Sequence, residues 1–270
     1  MSTETASRTL ISVSDLSVSA FFLNKPPIPI LRNIEFNLAN GQTLCVIGQS
    51  GSGKSTLVHA IGGIFPSPNI RKTRGTIRVG DREMTPESAS SILGRMVGVV
   101  FQDPWSTLTP VYTCGDQVVE ILRLHCQLTK TQAKTTALEI LQRVGFSDPH
   151  AVFGRYPHEL SGGMCQRVGI AMAIAPQPKV LIADEPTTAL DPTVQETILV
   201  LLNTLQTELG LSILLVTHSL SVASRMADHV LVLQSGTVVE EGSILDIFDH
   251  PKHAYTAKLV RDFGNFGVRS

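Results

Sequence analysis

Short apolar runs recur along the chain at residues 10–18, 34–38, 43–47, 76–79, 96–101, 180–184, 212–217, 230–234 and 238–241. Some alternate with polar positions, and several are uniformly apolar and lead into helical patterns, as parallel strands covered on both faces do. A 3.6-residue period takes over after Lys54 (Leu57, Val58, Ile61, Ile64), over 114–125 and 130–144, after Ser161, and over 194–209. Residues 103–160 carry helical patterns and loops with no convincing strand, which predicts a helical insertion between two strands of the core. Pro and Gly clusters punctuate these elements: residues 24–29 read as a loop between the first two strands, and 66–69 as the end of the first helix. The pattern as a whole predicts an α/β protein. The tail from His250 is short and polar, with Phe263 and Phe266 as candidate anchors.

Composition narrows the class. A chain of 270 residues, 43% hydrophobic and 17% charged, with mean hydropathy +0.17, can bury a sizeable core and lies far from the signature of disorder. Its apolar runs fall well short of the ~20 residues a spanning helix needs. A net charge of −1 speaks against the basic footprint that drives nucleic-acid binding, so no nucleic-acid partner is expected. Cys45, Cys114, Cys126 and Cys165 show neither a C-x-x-C nor a zinc spacing and read as reduced thiols. The polar start, Met1 to Arg8, is not followed by an apolar leader segment, so no secretory signal is expected and the cytoplasm is the expected compartment.

Candidate chemistry begins at Gly48-Gln49-Ser50-Gly51-Ser52-Gly53-Lys54-Ser55, with Thr56 following. The run fits the phosphate-loop pattern G-x-x-x-x-G-K-[ST], and it sits where the pattern requires, directly after the apolar run 43–47 and at the start of a helical period. Glycines let backbone amides close around phosphates, Lys54 reaches the β- and γ-phosphates, and Ser55 can ligate Mg²⁺. Further along, the buried run 180–184 ends in adjacent carboxylates, Asp184 and Glu185. Open α/β sheets bind ligands beyond the carboxyl ends of their strands. Asp184 suits the Mg²⁺ shell, and Glu185 suits a general base that polarises the attacking water. These features leave GTPases, kinases and many ATPases open, although no guanine-reading Asn-Lys-x-Asp is found.

The run Leu160-Ser161-Gly162-Gly163-Met164-Cys165-Gln166-Arg167 narrows the choice. Here the chain resembles the ATP-binding-cassette (ABC) ATPases, whose signature Leu-Ser-Gly-Gly-x-x-x-Arg it matches at every fixed position. Physically it is a second capped, glycine-rich helix start able to face an anion. The resemblance, which covers about residues 10–258, implies a P-loop NTPase core with an antiparallel β-subdomain and an inserted helical subdomain. The expected division of this single ABC ATPase domain is about 1–101, 103–160, 161–249 and a tail 250–270. Gln102, in Phe101-Gln102-Asp103-Pro104, looks like the Q-loop residue that approaches Mg²⁺. Asp191 closes a segment that looks like the D-loop, and His218 looks like the switch histidine at the γ-phosphate. In the family the signature Ser161, Gly162 and Gly163 would face ATP held by the other subunit of a dimer. The position where the family stacks an aromatic residue on adenine is Ala20, so Phe21 or Phe22 would substitute, with Phe21 the candidate. Ser219 stands where an aspartate commonly follows the switch histidine.

The stretches 101–110, 156–161 and 251–256 are similar to the importer ATPases of the oligopeptide/dipeptide/nickel group, whose usual His-Pro-Tyr reads His253-Ala254-Tyr255 here. That likeness implies ATP and Mg²⁺ as ligands, a second ATPase subunit (identical or a related paralogue), two membrane permeases and an external solute-binding protein. The chain would sit peripherally on the cytoplasmic face of the inner membrane. No cysteine-bearing tail for an iron–sulfur cluster precedes Ser270, and that feature, with Met164, leans the expectation toward nickel or metallophore import. A soluble ABC ATPase of DNA repair or translation is the alternative, though the long coiled coils or paired cassettes usual there are not found.

Overall fold

The computed structural model describes residues 9–267, with side chains described through 262. In chain order the elements are β1 (Thr9–Ala20), β2 (Ile28–Ala39), β3 (Thr43–Ile47), α1 (Lys54–Ile61), β4 (Ile70–Val79), β5 (Arg82–Glu83), α2 (Pro86–Ile92), β6 (Val97–Val100), α3 (Pro104–Thr107), α4 (Cys114–Cys126), α5 (Lys130–Arg143), α6 (Pro149–Phe153), α7 (Gly162–Ile174), β7 (Val180–Asp184), α8 (Pro192–Leu209), β8 (Ser212–Thr217), α9 (Leu220–Met226), β9 (His229–Gln234), β10 (Thr237–Ser243), α10 (Ile244–Asp249) and α11 (Ala254–Gly267). The chain divides into two compact units, one holding 9–90 with 212–267 and the other 91–211.

The first unit contains an antiparallel sheet in the order β2-β1-β4-β5. Ile11, Val13, Leu16 and Val18 are buried along β1, although the step from Val13 to Leu16 breaks a strict period of two. An irregularity in the pairing explains the break: the register with β2 shifts between Val13 and Leu16, where Asp15 takes a left-handed φ of 52°. The extra residue restores the inward face. Facing it in β4, Gly75 has φ 85°, and a Cβ there would overlap the Asp15 carbonyl. The Arg74 guanidinium closes on the Asp15 carboxylate at 2.6 Å. In β2 the same device sits at Asn33 (φ 48°), between buried Leu31 and Ile34. β2 also starts earlier than its apolar run suggests and includes Pro29. It is the edge strand of this sheet, where a missing N–H is tolerated.

The same unit holds β10-β9-β3-β8 as hydrogen-bonded neighbours. β3 is parallel to both β8 and β9, with Ile47 opposite Thr217 on one side and Val232 on the other. All residues of β3 and β8 are buried, which accounts for their unbroken apolar sequence. β10 returns antiparallel through a turn at Ser235 and Gly236, whose φ values of 48° and 80° match the mirror-image turn that suits strand twist. α1 is shorter than its sequence period suggests. It ends at Ile61 because Gly62 and Gly63 follow, Gly63 at φ 67°, and Ile64 is left 59% exposed rather than on the buried face.

In the second unit β6 pairs parallel with β7, Val97 opposite Val180 and Val100 opposite Ala183. Between Asp103 and Leu160 every element is helical. α4 starts on the Thr113 side chain, which accepts from the Asp116 N–H, and α5 starts on a reciprocal Thr129–Gln132 capping box. Gly115 lets α4 approach α6, since a Cβ there would run into the Phe153 ring. The tail from His250 is mostly helical, as α11; the side chains of Phe263 and Phe266 lie outside the described residues. No helix among the described residues is long and apolar enough to cross a membrane.

Candidate functional site

Gly48 to Gly53 link β3 to α1 in the first unit. Gly48 packs so closely that a Cβ would overlap the Leu233 carbonyl oxygen, and Gly53, at φ 106°, makes the left-handed turn into the helix. Lys54 is only 5% exposed, and its Nζ donates to the carbonyls of Gly48 at 2.8 Å and Gln49 at 3.1 Å. The ammonium is thereby folded back over its own loop. Two features leave the loop able to take an anion. α1 receives no side-chain cap, whereas α4, α5, α7, α8, α9 and α10 all do. The Ser52 hydroxyl is buried without a hydrogen-bond partner. Ser50, Gly51 and Ser55 are exposed, and Thr56 is half-buried. The loop is held from behind by the β9–β10 turn, where the Gly236 N–H donates to the Ser52 carbonyl at 2.9 Å. It is also held by Tyr255 of α11, whose phenolic oxygen accepts the Gln49 N–H at 3.0 Å.

His218 follows β8 directly. Because Ile47 and Thr217 are register partners, Gly48 and the exposed His218 leave the sheet at the same end of neighbouring strands. Ser219 caps α9 by accepting the Val222 N–H at 3.4 Å, a task that serine performs as well as aspartate would. Phe21 is half-buried, and the Arg71 guanidinium lies 5.3 Å from its ring centroid. One face of that ring therefore already has a cationic partner. Ala20 is buried, and Phe22 is 49% exposed.

In the second unit, the register of β6 and β7 brings Gln102 and the pair Asp184 and Glu185 out at one end. Asp184 is 7% exposed. Glu185 takes φ 46°, a conformation that costs a non-glycine residue about 1–3 kcal/mol and tends to persist where function requires it. Its Oε2 accepts from Gln102 Nε2 at 3.3 Å and from Thr188 Oγ1 at 2.9 Å. Thr188, which opens the D-loop-like segment that Asp191 closes, is thus a direct partner of Glu185, a contact that its place in the sequence does not reveal. Ser161 caps α7, accepting the Met164 N–H at 3.4 Å, and Gly163 lies against Val194 where a Cβ would overlap Cγ1. Asp191 caps α8 by accepting the Val194 N–H at 3.0 Å.

Ser55 in the first unit, and Gln102 and Asp184 in the second, each carry an oxygen donor of the kind a hard cation such as Mg²⁺ prefers. The cysteines offer no rival chemistry. Burial pushes the Cys114 thiol up to about 12, helped by Cys165 and Glu159, and burial alone pushes Cys165 up to about 11.

Comparison with known proteins gives the family. Residues 31–188 match the ABC transporter family. The chain is 42% identical over 255 residues to the oligopeptide transport ATP-binding protein AppD of Bacillus subtilis (strain 168), covering 93% of this chain and 77% of that protein. It is 43% identical over 260 residues to the dipeptide transport ATP-binding protein DppD of Haemophilus influenzae, covering 95% and 78%. Among solved structures, the dimeric post-hydrolysis state of the ATP-binding cassette MJ0796 bound to ADP and Pi superposes with a TM-score of 0.76 at 28% identity, covering 87% of this chain and 98% of that one. A phosphate loop, a paired acidic strand end and the signature helix, carried on the α/β fold of such cassettes, place this chain in the ABC transporter family as one of its ATPases.

Proposed function

We propose that the chain is the ATP-hydrolysing subunit of an importer for small peptides. Two such subunits, identical or related, would work with two membrane permeases and an external solute-binding protein, at the cytoplasmic face of the membrane. The family and the names of the relatives support the importer reading. The relatives described above are named for oligopeptide and dipeptide transport, so peptide takes precedence over the nickel or metallophore solute toward which Met164 leans.

The observation that carries the catalytic reading is the phosphate loop: a buried lysine folded over it, a helix start without a side-chain cap and a buried hydroxyl without a partner. Backbone amides of Gly51 to Thr56 would take the β- and γ-phosphates, with Lys54 turning from the Gly48 and Gln49 carbonyls toward them. Mg²⁺, held by Ser55, Gln102 and Asp184, would offset phosphate charge. Glu185, fixed by Gln102 and Thr188, would accept a proton from the attacking water, and His218 would contact the γ-phosphate. Ser161, Gly162, Gly163 and Asp191 would act on the nucleotide of the second subunit, and Phe21, with Arg71 on its other face, would stack on adenine. Uptake of labelled di- and oligopeptides and of nickel, measured in cells with and without the gene, tests the solute. Peptide uptake that depends on the gene is expected, and nickel dependence alone would reverse the choice.

A further inference from the structure

Tyr255 belongs to the tail segment, 206 residues from the phosphate loop, yet its phenolic oxygen accepts the Gln49 N–H. The geometry around that bond gives it a use. The Gln49 N–H and the Gly48 C=O belong to one planar peptide group and point in opposite directions across it. The Gly48 oxygen accepts the Lys54 ammonium at 2.8 Å, while the Gln49 N–H is held by Tyr255 at 3.0 Å. A single amide plane is therefore pinned at both edges, by the lysine that serves the phosphates and by the tail tyrosine. Hydrogen bonds on opposite sides of one amide polarise each other in the same sense.

Tyr255 is itself firmly placed. The Glu240 carboxylate on β10 accepts the N–H groups of Lys252 at 2.7 Å and His253 at 3.0 Å, and His253 Nδ1 accepts the Tyr255 N–H at 3.2 Å. The next residue, Thr256, is fully buried. Ala254, where the importer group usually has proline, is the first residue of α11, a position that suits either residue.

We infer that Tyr255 is a positioning residue for nucleotide binding, fixing the Gly48–Gln49 peptide plane so that Lys54 and the loop amides are pre-set for the phosphates of ATP. This rests on the reading of residues 48–56 as the ATP phosphate loop. Tyr255→Phe keeps the ring and its packing and removes only the acceptor, whereas Tyr255→Leu also removes packing.

The test compares the full-length chain, Tyr255→Phe, Tyr255→Leu and Lys54→Ala by titration with a fluorescent ATP analogue and Mg²⁺. Backbone amide exchange at Gln49 is followed by NMR without nucleotide, and thermal midpoints are recorded. One solvent-accessible hydrogen bond predicts an ATP Kd raised about 2- to 10-fold in Tyr255→Phe, with faster Gln49 exchange and a midpoint close to that of the unaltered chain. A role confined to packing α11 would instead leave Kd and Gln49 exchange unchanged in Tyr255→Phe and lower only the midpoint of Tyr255→Leu, and that result overturns the inference. The Lys54→Ala arm keeps the two readings apart. ATP binding by the unaltered chain that is lost in Lys54→Ala establishes the loop whatever Tyr255 does, and an unaltered chain that binds no ATP overturns the functional reading and the positioning role with it.

Discussion

At the scale of single residues, the proposed roles separate binding from chemistry. Lys54 is buried and bonded to the loop carbonyls, so removing it takes a charge out of the phosphate cradle. Lys54→Ala is expected to weaken ATP binding by tenfold or more, on the order of 1.4 kcal/mol, in equilibrium nucleotide titration. Glu185 belongs to the other unit, where Gln102 and Thr188 hold it. Glu185→Gln is therefore expected to leave ATP affinity within about twofold and to cut turnover roughly 10²- to 10⁴-fold, the usual contribution of a general base. Single-turnover ATP hydrolysis, with binding measured in parallel, checks both halves of that statement, and turnover near that of the unaltered chain in Glu185→Gln removes Glu185 from the chemistry. The candidate residues of both units stand out in the sequence because glycine spacing, a lysine and paired carboxylates are local signals. Thr188 and Tyr255 could not be assigned their contacts that way. A hydroxyl three residues on from a carboxylate is common in turns, and nothing local links a tail tyrosine to a loop 206 residues away.

At the scale of elements, the fully buried strands β3, β7 and β8 match their apolar runs end for end. Such runs are legible because both faces need the same chemistry. The two-residue strand β5 and the short helices α2, α3, α6, α9 and α10 have too few residues to establish a period, and caps rather than apolar faces define several of them. α1 stops at Ile61, although Ile64 falls at the right apolar spacing, because Gly62-Gly63 ends the helix. Contacts between helices rest on glycines in the same way. Gly163 of α7 meets Val194 of α8, whose β-branched side chain has little rotamer freedom in a helix. Gly163→Ala is expected to lower stability by about 1–3 kcal/mol through overpacking, and the added change Val194→Ala to recover much of it. Thermal unfolding of the two variants measures this, and an unchanged midpoint in Gly163→Ala means that the helices part without cost. Burial also overrides a helix start. Cys114 and Cys165 lie in first turns, where a thiol is usually acidified, yet their environment raises them to about 12 and about 11. Since only the thiolate reacts, raised values mean little reactive species at pH 8, and labelling that climbs only in strong alkali or on unfolding. Iodoacetamide at pH 8 is expected to modify the less buried Cys126 first, as read by peptide mass spectrometry, and Cys114 or Cys165 reacting ahead of it contradicts the burial account.

At the scale of the whole molecule, the chain carries two glycine-rich helix starts of opposite character. α1 is left without a side-chain cap and follows the phosphate loop, whereas α7 is capped by Ser161 and opens on Gly162 and Gly163. The family resemblance assigns the second to the nucleotide of a partner subunit, and the solved MJ0796 cassette with ADP and Pi is a dimer. If each catalytic centre takes its loop from one chain and its signature from another, ATP is a ligand shared by the halves, and its binding favours the closed pair by mass action. Activity per chain should then rise with protein concentration until dimers form. Ser161→Arg should abolish turnover while ATP affinity, measured at dilutions where sedimentation finds only monomers, stays within about twofold. The substitution sets bulk and charge where backbone amides must approach a phosphate, so closure suffers more than the first binding step. Specific activity that stays flat through the monomer range refutes the composite site for this chain. Weak activity of the isolated chain that recovers only on mixing with a second, related ATPase identifies the partner as a paralogue rather than a copy, because the missing half of each centre would then come from a different sequence.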